Sequence, residues 1–138
     1  DLHSFPTRRS SDLAIYRSCI YDMMSIFLRA RNFDGSKLKK GQVISTPISD
    51  ASSLSNSWLE YCGKENFKMN GSKEKFRCLV MSFYEREDGK SRELIRFYIT
   101  DDQNHIPVRL DMFLNFGSAK AYLKNYKGVR SAMTSKIN

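Results

Sequence analysis

From residue 57 to residue 123 apolar and polar positions alternate with a period of two, broken by short polar intervals. That period marks strands, and breaks rich in Asn, Asp and Gly mark the turns between them. Residues 57–67 (SWLEYCGKENF) place Trp58, Glu60 and Cys62 on one face and Leu59 and Tyr61 on the other. Asn70-Gly71 follows as a tight-turn pair. Residues 75–85 set Phe76, Cys78 and Val80 against Leu79, Met81 and Phe83. A turn over 87–90, with Asp88-Gly89 at its centre, leads to residues 92–100, where Ile95, Phe97 and Ile99 point inward and Arg96 and Tyr98 outward.

The next interval, Asp101-Asp102-Gln103-Asn104, is a turn rich in side chains that hydrogen-bond their own backbone. Beyond it Val108, Leu110, Met112, Leu114 and Phe116 alternate with Arg109, Asp111, Phe113 and Asn115. A strand of that length spans roughly 35–40 Å, longer than a flat strand usually runs, and is expected to bend around a core. Gly117 supplies a positive φ for the reversal. Ala119, Ala121 and Leu123 then offer a face of small residues on which a helix could pack.

Upstream the period changes. In residues 20–31 (IYDMMSIFLRAR), Met23, Ile26, Phe27 and Ala30 recur at helical spacing, and Met24 and Leu28 widen that face. Asp22 can cap the start, Arg29 and Arg31 complement the dipole at the end, and Asn32 and Gly35 act as stop signals. Residues 37–41 form a polar turn and residues 42–49 a strand, with Pro47 at an edge or a strand end. Residues 50–56 form a Ser-rich loop. The expected fold is α+β and mainly β: an antiparallel, curved, half-barrel-like meander with one main α-helix packed on it.

Composition adds to this picture at three points. The chain has 138 residues and suits one domain, and its 41% hydrophobic and 28% charged content is that of a globular protein. No apolar run approaches the ~20 residues of a membrane-spanning helix, and the first residues show no signal-peptide core. The net charge of +8 is compatible with an acidic partner, but the cations are spread along the chain and an ordinary solvated surface is the expectation. Cys19, Cys62 and Cys78 contain no Cys-x-x-Cys pair, and His3 and His105 are the only histidines. A zinc site therefore lacks its usual local ligand pairs. Cys62 and Cys78 could be bonded across neighbouring strands in an oxidising compartment, but buried thiols are the expectation.

The densest polar cluster is Asp101, Asp102, Asn104 and His105. As chemistry it could be a cation site or an acid/base pair, yet it lacks the alternating oxygen ligands of a calcium loop. It reads better as a turn held by side-chain to backbone bonds. Together with Pro107, Arg109 and Gly117 it is taken as a structural signature. No catalytic residue, cofactor-binding residue or metal ligand is assigned, and no cofactor is expected. Cys78 as a nucleophile would need His105 and instead reads as core.

Residues 1–13 (DLHSFPTRRSSDL) have neither period and resemble the translated read-through of a sequencing adapter. They are expected to be non-native and disordered. Residues 14–138 are then the C-terminal part of a single β-rich domain.

The stretch ITDDQNHIPVRLD with the later FGSAKAYL resembles the bacterial domain-of-unknown-function family 3108, in its Bacteroidetes form. YDMMSIFLRAR, Gly63-Lys64-Glu65, Lys75 to Cys78 and Gly128 to Arg130 match as well. The resemblance runs from about Cys19 to the C-terminus. It implies a truncated N-terminus and a periplasmic or secreted envelope protein with no assigned activity. The functional expectation is a non-enzymatic envelope protein that binds an apolar or amphipathic ligand, lipid- or lipoprotein-like, or that aids envelope assembly. The alternative is a module for a polyanion such as lipopolysaccharide, glycan or nucleic acid. Nucleic acid is not the expected partner among these.

Overall fold

The computed structural model describes residues 25–45, 48–50 and 53–138. Strands dominate: β1 (Val43–Ser45), β2 (Ile48–Asp50), β3 (Ser53–Lys68), β4 (Lys75–Glu87), β5 (Lys90–Thr100), β6 (Pro107–Leu114), β7 (Gly117–Tyr122) and β8 (Lys136–Ile137). They form one open antiparallel sheet in the order β1-β3-β4-β5-β6-β7, with β2 added to β3 and β8 to β4. Strands β3 to β7 follow one another as a meander, as short turns between alternating segments require. The β4–β5 turn shows the local chemistry. Asp88 and Gly89 both take positive φ, at 50° and 74°, which is the backbone of the tightest hairpin turn.

The sheet buries both faces over its centre. On the first face Leu59, Tyr61, Leu79, Met81, Phe83, Ile95, Phe97 and Ile99 form a core with Ile26 and Ala30. Residues 25–30 are helical and cover this face, and Phe27 stands 5.9 Å from Phe97 between ring centroids. On the second face Phe76, Cys78, Val80, Tyr98, Val108 and Met69 form another core, under Phe67, Leu123, Tyr126 and Met133. The parity read from residues 75–85 is thus the parity of β4.

The sheet also curls toward its second face. Strands β3 and β7 are four steps apart in the sheet, which would be about 19 Å if it were flat. Yet the rings of Phe67 on β3 and Tyr122 on β7 lie 6.2 Å apart and nearly parallel. The Arg109 guanidinium lies beside this pair, 5.7 Å from the Phe67 centroid and 5.8 Å from the Tyr122 centroid, and 4.8 Å from the Tyr98 ring centroid. The same guanidinium donates to both carboxylate oxygens of buried Asp111, at 2.7 and 2.8 Å.

Several expectations are corrected. One main α-helix over 20–31 is not established, because the described helix is the short stretch 25–30 and residues 20–24, with Asp22 and Met23, lie outside the described residues. Residues 1–13 and Cys19 lie outside them too, as does Pro47. The strand expected over 42–49 is two short strands, β1 and β2. The Ser-rich loop is strand from Ser53 onward, and β3 is the longest strand at 16 residues. β6 ends at Leu114, and Phe116 sits at the following turn with 90% of its surface exposed. Val108 belongs to the second face although Leu110 belongs to the first. The register slips between Tyr98 and Ile99, which pair with Arg109 and Pro107, so one bulge reverses the alternation. Tyr98, expected outside, is buried because the curl and the C-terminal segment cover it. The small residues of β7 do not receive the helix, for Ala121 is exposed and Leu123 packs on the second face.

Gly35 has a role beyond ending the helix. A Cβ there would meet Leu79 Cδ2 at 2.3 Å, so any larger residue would force the buried Leu79 side chain to shift or lift the loop off the sheet.

If the first-face core carries the fold, Phe97→Ala should lower unfolding free energy by about 3–5 kcal/mol, read by urea denaturation. The exposed Phe116→Ala should change it by no more than about 0.5 kcal/mol.

Candidate functional site

The turn between β5 and β6 gathers the residues singled out in the sequence. Thr100 and Ile106 close it, with the Thr100 amide donating to the Ile106 carbonyl at 2.9 Å and the Ile106 amide to Thr100 Oγ1 at 2.8 Å. Asp102 Oδ1 accepts from the Asn104 amide at 2.9 Å and from Thr100 Oγ1 at 3.0 Å. This is the local side-chain to backbone bonding that Asp and Asn bring to turns. His105 adopts a positive φ of 47°, uncommon outside glycine, and directs the chain into β6.

The turn also bonds outward to four other segments. Asp101 Oδ2 accepts from Arg77 Nε on β4 at 2.7 Å and from Lys64 Nζ on β3 at 2.9 Å. Burial pushes the Asp101 carboxyl up, but the bonds and charges of Lys64 and Arg77 outweigh it and hold the group below the ordinary carboxylate value. Asp102 Oδ2 accepts from the hydroxyl of fully buried Ser135. Asn104 pairs with the backbone of Ser131: its amide group donates to the Ser131 carbonyl at 2.8 Å, and its oxygen accepts from the Ser131 amide at 3.0 Å.

Arg31, just after the helical stretch, donates from Nε to the His105 carbonyl at 2.7 Å and from Nη2 to the Asn104 carbonyl at 3.3 Å. His105 Nδ1 returns a bond to the Arg31 carbonyl. A carbonyl can only accept, so this bond places the proton of a neutral ring on Nδ1. It also satisfies one of the carbonyls that a helix end leaves open.

The structure therefore brings Asp101, Asp102, Asn104 and His105 together as a fastening. Pro107 and Arg109 lie beyond it on β6, and Gly117, with φ of 142°, opens β7. Among the described residues no group of three or more His, Cys, Asp or Glu could hold a metal ion, and no buried side-chain nitrogen or oxygen lacks a partner. Cys62 and Cys78 are free thiols. Burial, then the charges of Asp101, Asp102 and Glu65, push Cys78 up to about 12, which keeps it a neutral thiol at physiological pH.

Beside the fastening lies a cleft of about 780 Å³. Its walls are residues 28–32, the turn over 103–106 and the segment 126–130. Leu28 and Val129 expose 53% and 41% of their surface, so the lining includes apolar area that a partner could cover. Arg31, Lys127 and Arg130 supply cations, and no carboxylate is among the lining residues. Sequence reasoning missed this cleft because its three walls come from separate parts of the chain. The only local hints were Lys127-Gly128-Val129-Arg130, too short to have a period.

The model of the family described as "Protein of unknown function (DUF3108)" matches residues 4–124, and the chain belongs to that family. No curated protein and no solved structure matches it. The family match stops before the segment that supplies Tyr126, Met133 and Ser135 to the folded structure.

Asp101→Asn should cost about 1–2 kcal/mol at neutral pH, because Lys64 and Arg77 lose a charged partner. The folded carboxyl titrates below its unfolded value. Its contribution is therefore complete above the ordinary value of about 4 and is lost as pH falls through the folded one. Urea titrations of both proteins between pH 7 and pH 2 should show the difference shrink toward the acid end.

Proposed function

We propose that this family member is a non-enzymatic envelope protein, periplasmic or secreted, that binds an amphipathic ligand in the cleft between residues 28–32, 103–106 and 126–130. The observation that carries this reading is the lining itself, which sets exposed Leu28 and Val129 beside Arg31, Lys127 and Arg130. An apolar contact in such a site supplies affinity and a few polar groups fix orientation. The cleft volume of about 780 Å³ falls within the range of small-molecule sites, roughly 300–1,000 Å³. A long polyanion would instead need a cationic track, and that favours the small amphiphile over the polymer.

The non-enzymatic reading rests on how the polar turn is bonded. Asp101, Asp102 and Asn104 make charge-assisted or backbone bonds within the fold, and His105 Nδ1 bonds a main-chain carbonyl. General acid/base catalysis needs a group free to reach a substrate proton. The bonds described for these groups run instead to the protein itself.

The test uses the full chain and the fluorescent amphiphile 1-anilinonaphthalene-8-sulfonate. Saturable binding to the folded protein is expected at one site. Leu28→Gln with Val129→Gln should weaken it about tenfold, with unchanged thermal stability, since each loses part of a buried aliphatic contact. Binding unaffected by both substitutions would contradict the cleft as the site.

A further inference from the structure

We infer that Lys127 and Arg130 are specificity-determining residues, which select a single-chain amphiphile with a net anionic headgroup. The inference rests on the cleft reading above and names the ligand class for that site.

Several cations elsewhere in the fold are paired with carboxylates. Lys64 and Arg77 meet Asp101, Arg96 meets Glu93, Arg109 meets Asp111 and Lys136 meets Glu74. Lys127 and Arg130 are exposed and, like Lys120 and Lys124, have no such partner among the described residues; their place in the cleft lining sets them apart. Arg31, the third cation of the lining, has Nε and Nη2 spent on the carbonyls of His105 and Asn104, so it is held in place as part of the wall. The cleft thus combines a fixed cation with two that lack a carboxylate. Like charges gathered with no carboxylate in the lining favour an anion, and an anion beside exposed Leu28 and Val129 is best supplied by an acidic amphiphile.

The wall that carries both residues is itself anchored. Ser131 follows Arg130 directly and exchanges two hydrogen bonds with Asn104, while Tyr126 packs edge-on against Phe76 at 6.0 Å between centroids. Lys127 and Arg130 therefore stand on a short segment pinned at both ends. Anchoring lowers the entropy lost when a ligand is bound. The two residues also lie beyond the region matched by the family, 4–124.

The experiment compares lysophosphatidylglycerol, lysophosphatidylcholine and inorganic phosphate by isothermal titration of the full chain, with the lipids below their micelle concentrations. The two lipids share a chain and a phosphate and differ in net charge. The expected result is about tenfold tighter binding of the anionic lipid, a preference weakened by added salt, and no binding of phosphate at matched concentration. Lys127→Gln with Arg130→Gln should remove the preference while leaving the weaker binding of the zwitterionic lipid. Lys127→Glu with Arg130→Glu should reverse it.

Equal binding of both lipids by the wild-type protein would overturn charge selection and leave the cleft reading standing. A preference that survives in folded variants of both kinds would overturn the assignment to these two residues. Phosphate bound as tightly as the anionic lipid would overturn the amphiphile as the source of the anion. Binding of neither lipid would remove the cleft reading itself, and the inference with it.

Discussion

Strand β4 has no free face over most of its length. From Phe76 to Phe83 every residue but Arg77 is buried, alternating between the two cores. A strand of this kind cannot exist in a bare sheet, because each face needs a cover from elsewhere in the chain. Residues 25–30 and the loop after them cover the first face, and the segment after β7 covers the second. The two covers come from opposite ends of the described chain.

One turn fastens both. The β5–β6 turn receives Arg31 from the first cover and Ser131 and Ser135 from the second. It also receives Lys64 and Arg77 from the sheet between them. Each bond is modest by itself, on the order of 1 kcal/mol net. Their joint effect is positional, because they bring two independent covers to the same corner of the sheet. The cleft is the gap left between the covers there, so the same bonds that hold the fold set the cleft's walls. The polar residues thus shape the cleft by position.

The sequence carried much of the sheet. Its period of two placed Leu79, Met81 and Phe83 opposite Phe76, Cys78 and Val80, and the Asp88-Gly89 turn followed from backbone preference alone. Local patterning misled where a tertiary contact decided the outcome. The bulge opposite Tyr98 turned Val108 away from Leu110, and no residue between them signals a bulge. Phe116 continued the alternation in sequence but fell beyond the reversal. Tyr98 reads as an outward residue until Phe67, Leu123 and Arg109 are brought over it by the curl. The second cover, residues 125–138, has no period to read, since its contribution comes from single residues spaced irregularly.

The Asp101–His105 turn was legible as a turn, and its own backbone bonds are those expected of Asp and Asn. Its partners were not legible, because Arg31, Lys64, Arg77 and Ser131 lie 24 to 74 positions away in the bonds they make. Native-state hydrogen exchange of the full chain tests directly whether this turn unites sheet and covers. The amides of Arg77, Asp101, Ile106 and Ser131 are expected to exchange with the same opening free energy as those of Met81 and Phe97, as one cooperative unit. Exchange of the Ile106 and Ser131 amides at free-loop rates, with the sheet still protected, would contradict it.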